Sequence, residues 1–384
     1  MNKNAKRSIN FAVIGSGEGG GRIADAFAKL GYRAGALNTA QVDLDGLQAI
    51  PRSNRLGVGA GPGGAGQDMA LGQEAVLAHR GTVKEFITVL GDGMDYLLLT
   101  VGGGGGTGSG SLPELVRIAQ EMDLPTAVIL TLPNSYEGTL VKANAVQTLQ
   151  VAHGLVQQRA ICPLVLVDNE CIGQLFSGLT VANYWSTANR EIAEAWDVFN
   201  RLSTRPSVVF SAVDGMDYAR LLSTGGYAAM GLSTISGSDE QAIAQAIRTN
   251  VHGGLLANGF DLSTCRATAA IVSGSKTAIE RLPMEHLLAG FSTLQDLVGS
   301  GELFRGAYID RGAKLRVYTL MTGLDIPAGR VQELLQTAHS EWTAYQEKLT
   351  RGSSAASMFG GLDFSSGDSD RGSVFRQLAQ QKKR

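Results

Sequence analysis

The chain has 384 residues, 44% hydrophobic and 18% charged, with a formal net charge of −2; the length supports one large or two modest cores, and the balance gives no whole-chain reason to expect nucleic-acid or membrane binding. Cys162, Cys171 and Cys265 lack C-x-x-C spacing and the five histidines are scattered, so neither a disulfide framework nor a protein-held metal is expected. No run approaches the ~20 apolar residues of a membrane span, the basic segment 1–7 precedes too short an apolar stretch for a signal peptide, and the expected compartment is a reducing cytoplasm.

Residues 8–14 read as a first strand, followed by Gly15-Ser16-Gly17-Glu18-Gly19-Gly20-Gly21-Arg22 and a helix to about residue 30. Gly15, Gly17 and Gly20 satisfy G-x-G-x-x-G after a strand, a dinucleotide fingerprint that is weak alone. A Rossmann enzyme wants an acidic residue at the end of the second strand. Here residues 33–37 end in Asn38 and Thr39, with Asp43 and Asp45 inside the next helix. Another glycine turn covers 57–66, and a helix is expected over 67–90.

Residues 96–100 form an apolar strand leading into 101–111, where seven of eleven residues are glycine. Helical spacing follows over 112–119, with Ser111 placed to cap and Pro113 near the first turn. Strand, glycine turn and helix start together point backbone N–H groups at an anion, and glycines let a phosphate come close. A flexible linker is the competing reading, but linkers are rarely clamped between a buried strand and a capped helix. No G-x-x-x-x-G-K-[ST] occurs, so phosphate charge would be met by amides, helix dipoles and Mg²⁺.

Apolar strands at 126–132 and 163–167 continue the alternation with helices, which implies a parallel sheet covered on both faces. The glycine turns then converge on one sheet edge. Residues 180–202 form a long helix free of Pro and Gly, with Trp185 and Asn189 on one face. The bland alternative makes Trp185, Ile192, Trp196 and Phe199 one buried stripe. A strand is expected at 207–210, and Asp214 and Asp217 open the following helix, where carboxylates cap and complement the dipole. Further strands at 230–235, 266–273, 305–309 and 315–321, with helices at 240–251 and 284–298, make a smaller second α/β unit. Pro327 begins an amphipathic helix bearing Val331, Leu334, Leu335, Ala338, Trp342, Tyr345 and Leu349. The Ser/Gly-rich segment beyond it reads as disordered. The basic end, 374–384, reads either as a solubilising tail or as a docking peptide for an adaptor or DNA-bound partner.

Gly104-Gly105-Gly106-Thr107-Gly108-Ser109-Gly110 resembles the signature G-G-G-T-G-[ST]-G shared by tubulin, the division protein FtsZ and the plasmid and phage tubulin TubZ. The order of elements agrees over residues 8–325. The resemblance implies GTP or GDP with Mg²⁺ as ligands. It places the phosphates on Gly15, Gly17, Glu18, Gly19, Gly20, Gly21 and Arg22 of the first turn and on Gly104 to Gly110 of the signature. Asn38 and Thr39 would lie near the phosphates and metal, Gly61 in the turn sensing the γ-phosphate, and Glu137 at the ribose. Asn169 would read the guanine edge, since an amide both donates and accepts. Trp185, with Tyr184 as competing stacker, would lie on the purine and Asn189 would bond its edge. Asp214 and Asp217 match part of the FtsZ pattern N-x-D-x-x-D. They would act as catalytic carboxylates in the next subunit's site, orienting water against the γ-phosphate.

Two positions depart from the FtsZ pattern: Val141, with Lys142 beside it, replaces an arginine, and Ala212 replaces the asparagine. The expected organisation is α/β throughout. A Rossmann-like GTP-binding domain (1–180) is followed by a central helix (181–205), a second domain (206–326), a C-terminal helix (327–350) and a tail (351–384). The expected function is a GTPase that assembles head to tail into filaments and completes hydrolysis at the subunit junction. The alternatives are a non-hydrolysing, GTP-stabilised structural homologue and a Rossmann-type NAD(P) oxidoreductase.

Overall fold

The first strand begins later than its hydrophobic run, because neighbouring side chains take the backbone before it. Asn200 accepts the Ile9 N–H at 2.9 Å and donates to the Ile9 carbonyl at 2.9 Å, and Asp95 Oδ2 accepts the Asn10 N–H at 2.8 Å. In the computed structural model, which describes residues 6–59, 63–209, 211–237, 239–253, 259–310 and 314–358, β1 therefore spans Phe11–Ser16 rather than starting at residue 8. There follow α1 (Gly17–Lys29), β2 (Arg33–Asn38), α2 (Gln41–Asp45) and β3 (Arg55–Gly57). The single helix expected over 67–90 is two, α3 (Met69–Ala78) and α4 (Arg80–Gly91). Asp68 caps the first by accepting the Ala70 and Leu71 N–H groups. His79 leaves the helical region at φ −107° and ψ 19°, its ring Nδ1 lying 2.8 Å from the Ala75 carbonyl.

The chain continues through β4 (Tyr96–Gly102), α5 (Gly106–Glu121), β5 (Thr126–Leu132), α6 (Thr139–Gln157), β6 (Leu164–Asp168) and α7 (Asn169–Leu175). Next come α8 (Val181–Leu202), α9 (Gly215–Ser223), β7 (Tyr227–Thr234), α10 (Ala242–Gly253), β8 (Ala267–Gly274) and α11 (Lys276–Glu280). The last elements are α12 (Met284–Val298), β9 (Glu302–Ile309), β10 (Arg316–Leu324) and α13 (Ala328–Met358).

Among the described residues, one ten-stranded sheet runs β3-β2-β1-β4-β5-β6-β7-β10-β8-β9. From β3 to β7 every pairing is parallel, and β1, β6 and β8 are buried at every position, as strands covered on both faces must be. The smaller second α/β unit adds its strands to this same sheet. The joint is narrow, with only Leu164↔Tyr227 and Val165↔Ala228 pairing β6 to β7. Beyond it β10 is antiparallel to both β7 and β8.

The strand expected at 207–210 does not form in the described residues 207–209. Pro206 has no N–H to offer a ladder, and the Ser207 hydroxyl bonds both the N–H and the C=O of Ala307 at 3.1 Å. The long helix α8 is fixed under β1 by Trp196, whose ring meets Phe11 edge-on at 5.4 Å, and by Asp197, which pairs with Arg7 at 2.8 Å and Arg201 at 3.2 Å.

Residues 1–339 form one unit and 340–384 another. In the second, the described residues 340–358 are helical, so the helix expected to stop at 350 continues through Met358. Ala355 and Ala356, strong helix formers, stand against the pull of Gly352 and the serines. The remainder of the expected tail, 359–384, lies outside the described residues. Among the described residues no helix is long and apolar enough to cross a membrane, and no group of three His, Cys, Asp or Glu side chains is placed to hold a metal ion.

Candidate functional site

The strand order β3-β2-β1-β4-β5-β6 reverses direction between β1 and β4, so the turns leaving those two strands diverge and leave a crevice beyond their C-terminal ends. A cleft of about 690 Å³ opens there. Its floor departs from the sequence expectation: α5 starts at Gly106 with Gly105 as its N-cap, so the second half of the glycine run is helix. Ser111 lies inside that helix, sharing a 2.7 Å bond with the Ser16 hydroxyl. The cause is α3, which packs backbone to backbone on the first turns of α5. A Cβ on Gly106 would stand 2.8 Å from the Asp68 carbonyl oxygen, and one on Gly110 would overlap that of Met69. The early N–H groups of α5, which have no partner inside the helix, thus open on the cleft at the positive end of its dipole.

The turn after β1 lies directly on this helix start. Gly17 has φ +72°, and a Cβ there would come within 3.0 Å of the Gly108 nitrogen. Gly17, Glu18, Gly19 and Arg22 line one wall, and Gly104, Gly105, Gly106, Thr107 and Gly108 line the next. Gly15, Gly20, Gly21, Ser109 and Gly110 do not line the cleft. They form the packed material behind it, where Thr100 Oγ1 donates to the Gly20 carbonyl at 2.8 Å and Ser109 Oγ to that of Gly103 at 2.6 Å. Gly61 lies outside the described residues. The flanking part of its turn does reach the cleft at Gly63, Ala65 and Gly66.

Asn38 and Thr39 join these walls through hydrogen bonds whose direction the chemistry sets. Asn38 Oδ1 can only accept, so Thr107 donates to it at 3.2 Å; Thr39 then donates to Thr107 across 2.6 Å and accepts the Ala65 N–H at 2.9 Å. Asn38 Nδ2 in turn donates to Asp43 at 2.9 Å. The chain of bonds ties the glycine turn after β3 to the signature helix. Thr39→Val, which leaves the Ala65 N–H unsatisfied, is expected to lower stability by about 1–2 kcal/mol in a denaturant melt. No change in melting midpoint would show that the bond contributes nothing.

Among the described residues, the charged groups lining the cleft are three carboxylates, Glu18, Asp43 and Glu137, and one guanidinium, Arg22. Arg22 is already paired to Glu18 at 2.8 Å. Burial, helped by the Glu18 charge, raises the Asp43 pKa above the usual carboxylate value, against the Asn38 hydrogen bond and Arg22. Val141 lines the cleft, whereas Lys142 is buried and donates to the Ser135 carbonyl at 2.6 Å.

At the other end, Glu137 accepts the Asn134 N–H at 3.0 Å and faces Asn169 Nδ2 at 3.5 Å. Trp185, Asn189 and Ile192 of α8 close this end together with Pro133. The aromatic stripe of α8 divides. Trp196 and Phe199 are core, while Trp185 stays 44% exposed on the cleft, held edge-on by Tyr184 at 5.0 Å. Fifteen of the expected ligand residues therefore share one cavity, and Asp43, Thr131, Gln67 and Pro133 join them. Asp43 was visible in the sequence only as a helix residue; its place here follows from the Asn38 bond.

Asp214 and Asp217 do not line the cleft. They form a capping box at the start of α9: Asp214 Oδ1 accepts the Met216 and Asp217 N–H groups at 2.8 and 2.9 Å, and Asp217 Oδ2 accepts the Asp214 N–H at 3.0 Å. The second oxygen of each carboxylate is outside the box. Met216 between them is 78% exposed.

Comparison with known proteins accounts for both halves of the molecule. Residues 10–172 match the Tubulin/FtsZ family GTPase domain and residues 199–335 the C-terminal domain of Tubulin/FtsZ-like, TubZ-like proteins. The chain is 26% identical over 325 residues to cell division protein FtsZ 1 of Halobacterium salinarum, covering 83% of this chain and 77% of that one. It is 30% identical over 254 residues to the tubulin-like protein CetZ4 of Haloferax volcanii, covering 62% and 63%. A GTPγS-form protofilament structure of Bacillus thuringiensis serovar israelensis TubZ superposes with a TM-score of 0.81 at 19% identity over 92% of this chain and 96% of that one, a likeness of fold. Cleft, sheet order and both domain matches lead to one assignment: the chain belongs to the tubulin/FtsZ family.

Proposed function

We propose that this protein binds GTP in the cleft, assembles head to tail, and hydrolyses GTP where Asp214 and Asp217 of one copy meet the nucleotide of the next. The observation that carries the reading is the start of α5, whose unpaired amides face a cleft floored by glycine between the β1 and β4 turns. In the monomer the acidic pair lies outside that cleft, Asp214 exposed and Asp217 half-buried, as residues acting on a neighbour's nucleotide can. Related solved structures include protofilaments of TubZ and of CetZ2, and a heterologous contact that does not close grows as a filament.

Within the cleft, the amides of Gly105 to Gly108 bind phosphate oxygens, Glu137 takes the ribose, and Trp185, Asn169 and Asn189 hold the base. The cleft walls carry more acid than base, so a triphosphate needs added positive charge. The hydroxyls of Thr39 and Thr107 and the Asp43 carboxylate are oxygen donors of the kind Mg²⁺ accepts. Mg²⁺, when bound, neutralises phosphate charge. Asp217 orients and deprotonates the attacking water, and Asp214 holds the start of α9 in place. The basic end of the chain serves as the docking segment for an adaptor or DNA-bound partner.

Two measurements test this. GTP is expected to raise the thermal midpoint and NAD to leave it unchanged; the reverse would restore the oxidoreductase reading. Phosphate release per subunit is expected to rise steeply with protein concentration. Ala212, in place of the family's asparagine, favours a second reading, a GTP-stabilised polymer without turnover, and filaments that release no phosphate would establish it.

A further inference from the structure

The base end of the cleft is braced from behind by a side chain distant in sequence. Arg330, in the first turn of α13, donates from Nε to Asp168 Oδ2 at 2.6 Å and from Nη2 to Asp168 Oδ1 at 3.1 Å. The same Nη2 donates to the Pro133 carbonyl at 3.1 Å. The side chains are 1% exposed for Asp168 and 10% for Arg330, so the pair is out of water, where removing one partner is far more disruptive than at the surface.

Both anchored points adjoin the cleft. Asp168 ends β6 and immediately precedes Asn169, the first residue of α7, while Pro133 follows β5 and lines the cleft itself. Asp168 Oδ1 also accepts the Glu170 N–H at 3.0 Å, which locks the carboxylate to the helix that Asn169 begins. One guanidinium thus spans the ends of two adjacent strands and sets the spacing of the loops that leave them. The planar fork of arginine can make these three bonds together, and the point charge of lysine cannot reproduce them.

We propose that Arg330 is a positioning residue for guanine recognition: by holding Asp168 and Pro133 it fixes Asn169, so base selectivity depends on the first turn of the C-terminal helix. The inference rests on GTP being the ligand of the cleft.

The test is competitive binding of GTP and ATP to the full chain, Arg330→Gln and Arg330→Lys, together with the nucleotide-free thermal midpoint of each. Arg330→Gln is expected to weaken GTP about tenfold while changing ATP little, the scale of coupling within one hydrogen-bond network. Arg330→Lys should fall between it and the parent. A purely structural role would lower the midpoint and weaken both nucleotides equally. An unchanged GTP-to-ATP ratio in either folded variant therefore overturns the proposal whatever the midpoint does. If Arg330→Gln yields no folded protein, the ratio in Arg330→Lys decides. A parent chain that does not prefer GTP would instead overturn the functional reading on which the inference stands.

Discussion

Asp217→Asn is expected to bind GTP with the parent's affinity and to form filaments, yet to release phosphate roughly 10²–10⁴-fold more slowly, the usual contribution of a positioned general base. The substitution isolates the chemistry because asparagine keeps an oxygen for the Asp214 N–H, the bond Asp217 Oδ2 accepts at 3.0 Å, and so preserves the capping box. It removes the charge needed to take a proton. Asp217→Ala loses the box as well and should cost a further ~1 kcal/mol of stability. Slowed turnover should also lengthen filament lifetime, which light scattering after GTP depletion would follow. Turnover at the parent rate in Asp217→Asn would remove the residue from the catalytic role.

Gly108→Ala is expected to weaken GTP by roughly ten- to a hundredfold, corresponding to the ~1–3 kcal/mol cost of forcing a methyl group into packed backbone. Its Cβ would stand 2.9 Å from the Ser16 carbonyl oxygen and 3.2 Å from that of Gly102. Those atoms end β1 and β4, so relief can come only by spreading the two turns beside the start of α5, where the phosphates are proposed to bind. Gly105→Ala provides the contrast. A Cβ there meets no protein atom within 4 Å while Gly105 lines the cleft, so the nucleotide-free fold should be as stable as the parent's and any lost affinity reports space claimed by the ligand. Calorimetry with GTP and a denaturant melt of each variant separate the two effects. Parent-like affinity in Gly108→Ala would show that the cradle lies elsewhere.

Much of this molecule is legible in its sequence, for a local reason. Buried parallel strands must be apolar at every position, so 96–100, 126–132 and 163–167 announced themselves. The signature at Gly104 to Gly110 and the missing acid at Asn38 pointed to a phosphate cradle and away from a dinucleotide enzyme. Where local preference and packing disagreed, packing prevailed. Glycine is a poor helix former, so the run through Gly110 read as a turn. The helix nevertheless starts at Gly106, because α3 comes so close that only glycine fits at Gly106 and Gly110. The spacing of residues 8–10 suited a strand until Asn200 and Asp95 claimed that backbone.

Sequence by itself determined which groups the chain brings: glycine turns after two strands, the amides Asn169 and Asn189, and a pair of acids at a helix start. Tertiary structure alone decided how those parts meet. It left the acids outside the cleft, turned Lys142 away from it, brought in Asp43, and braced Asn169 through Arg330, whose partner Asp168 is 162 residues away. The physical reason is the range of the forces involved. Propensity and periodicity act over a few neighbouring residues, whereas a buried ion pair or a backbone contact between helices depends on chain geometry that no local window contains.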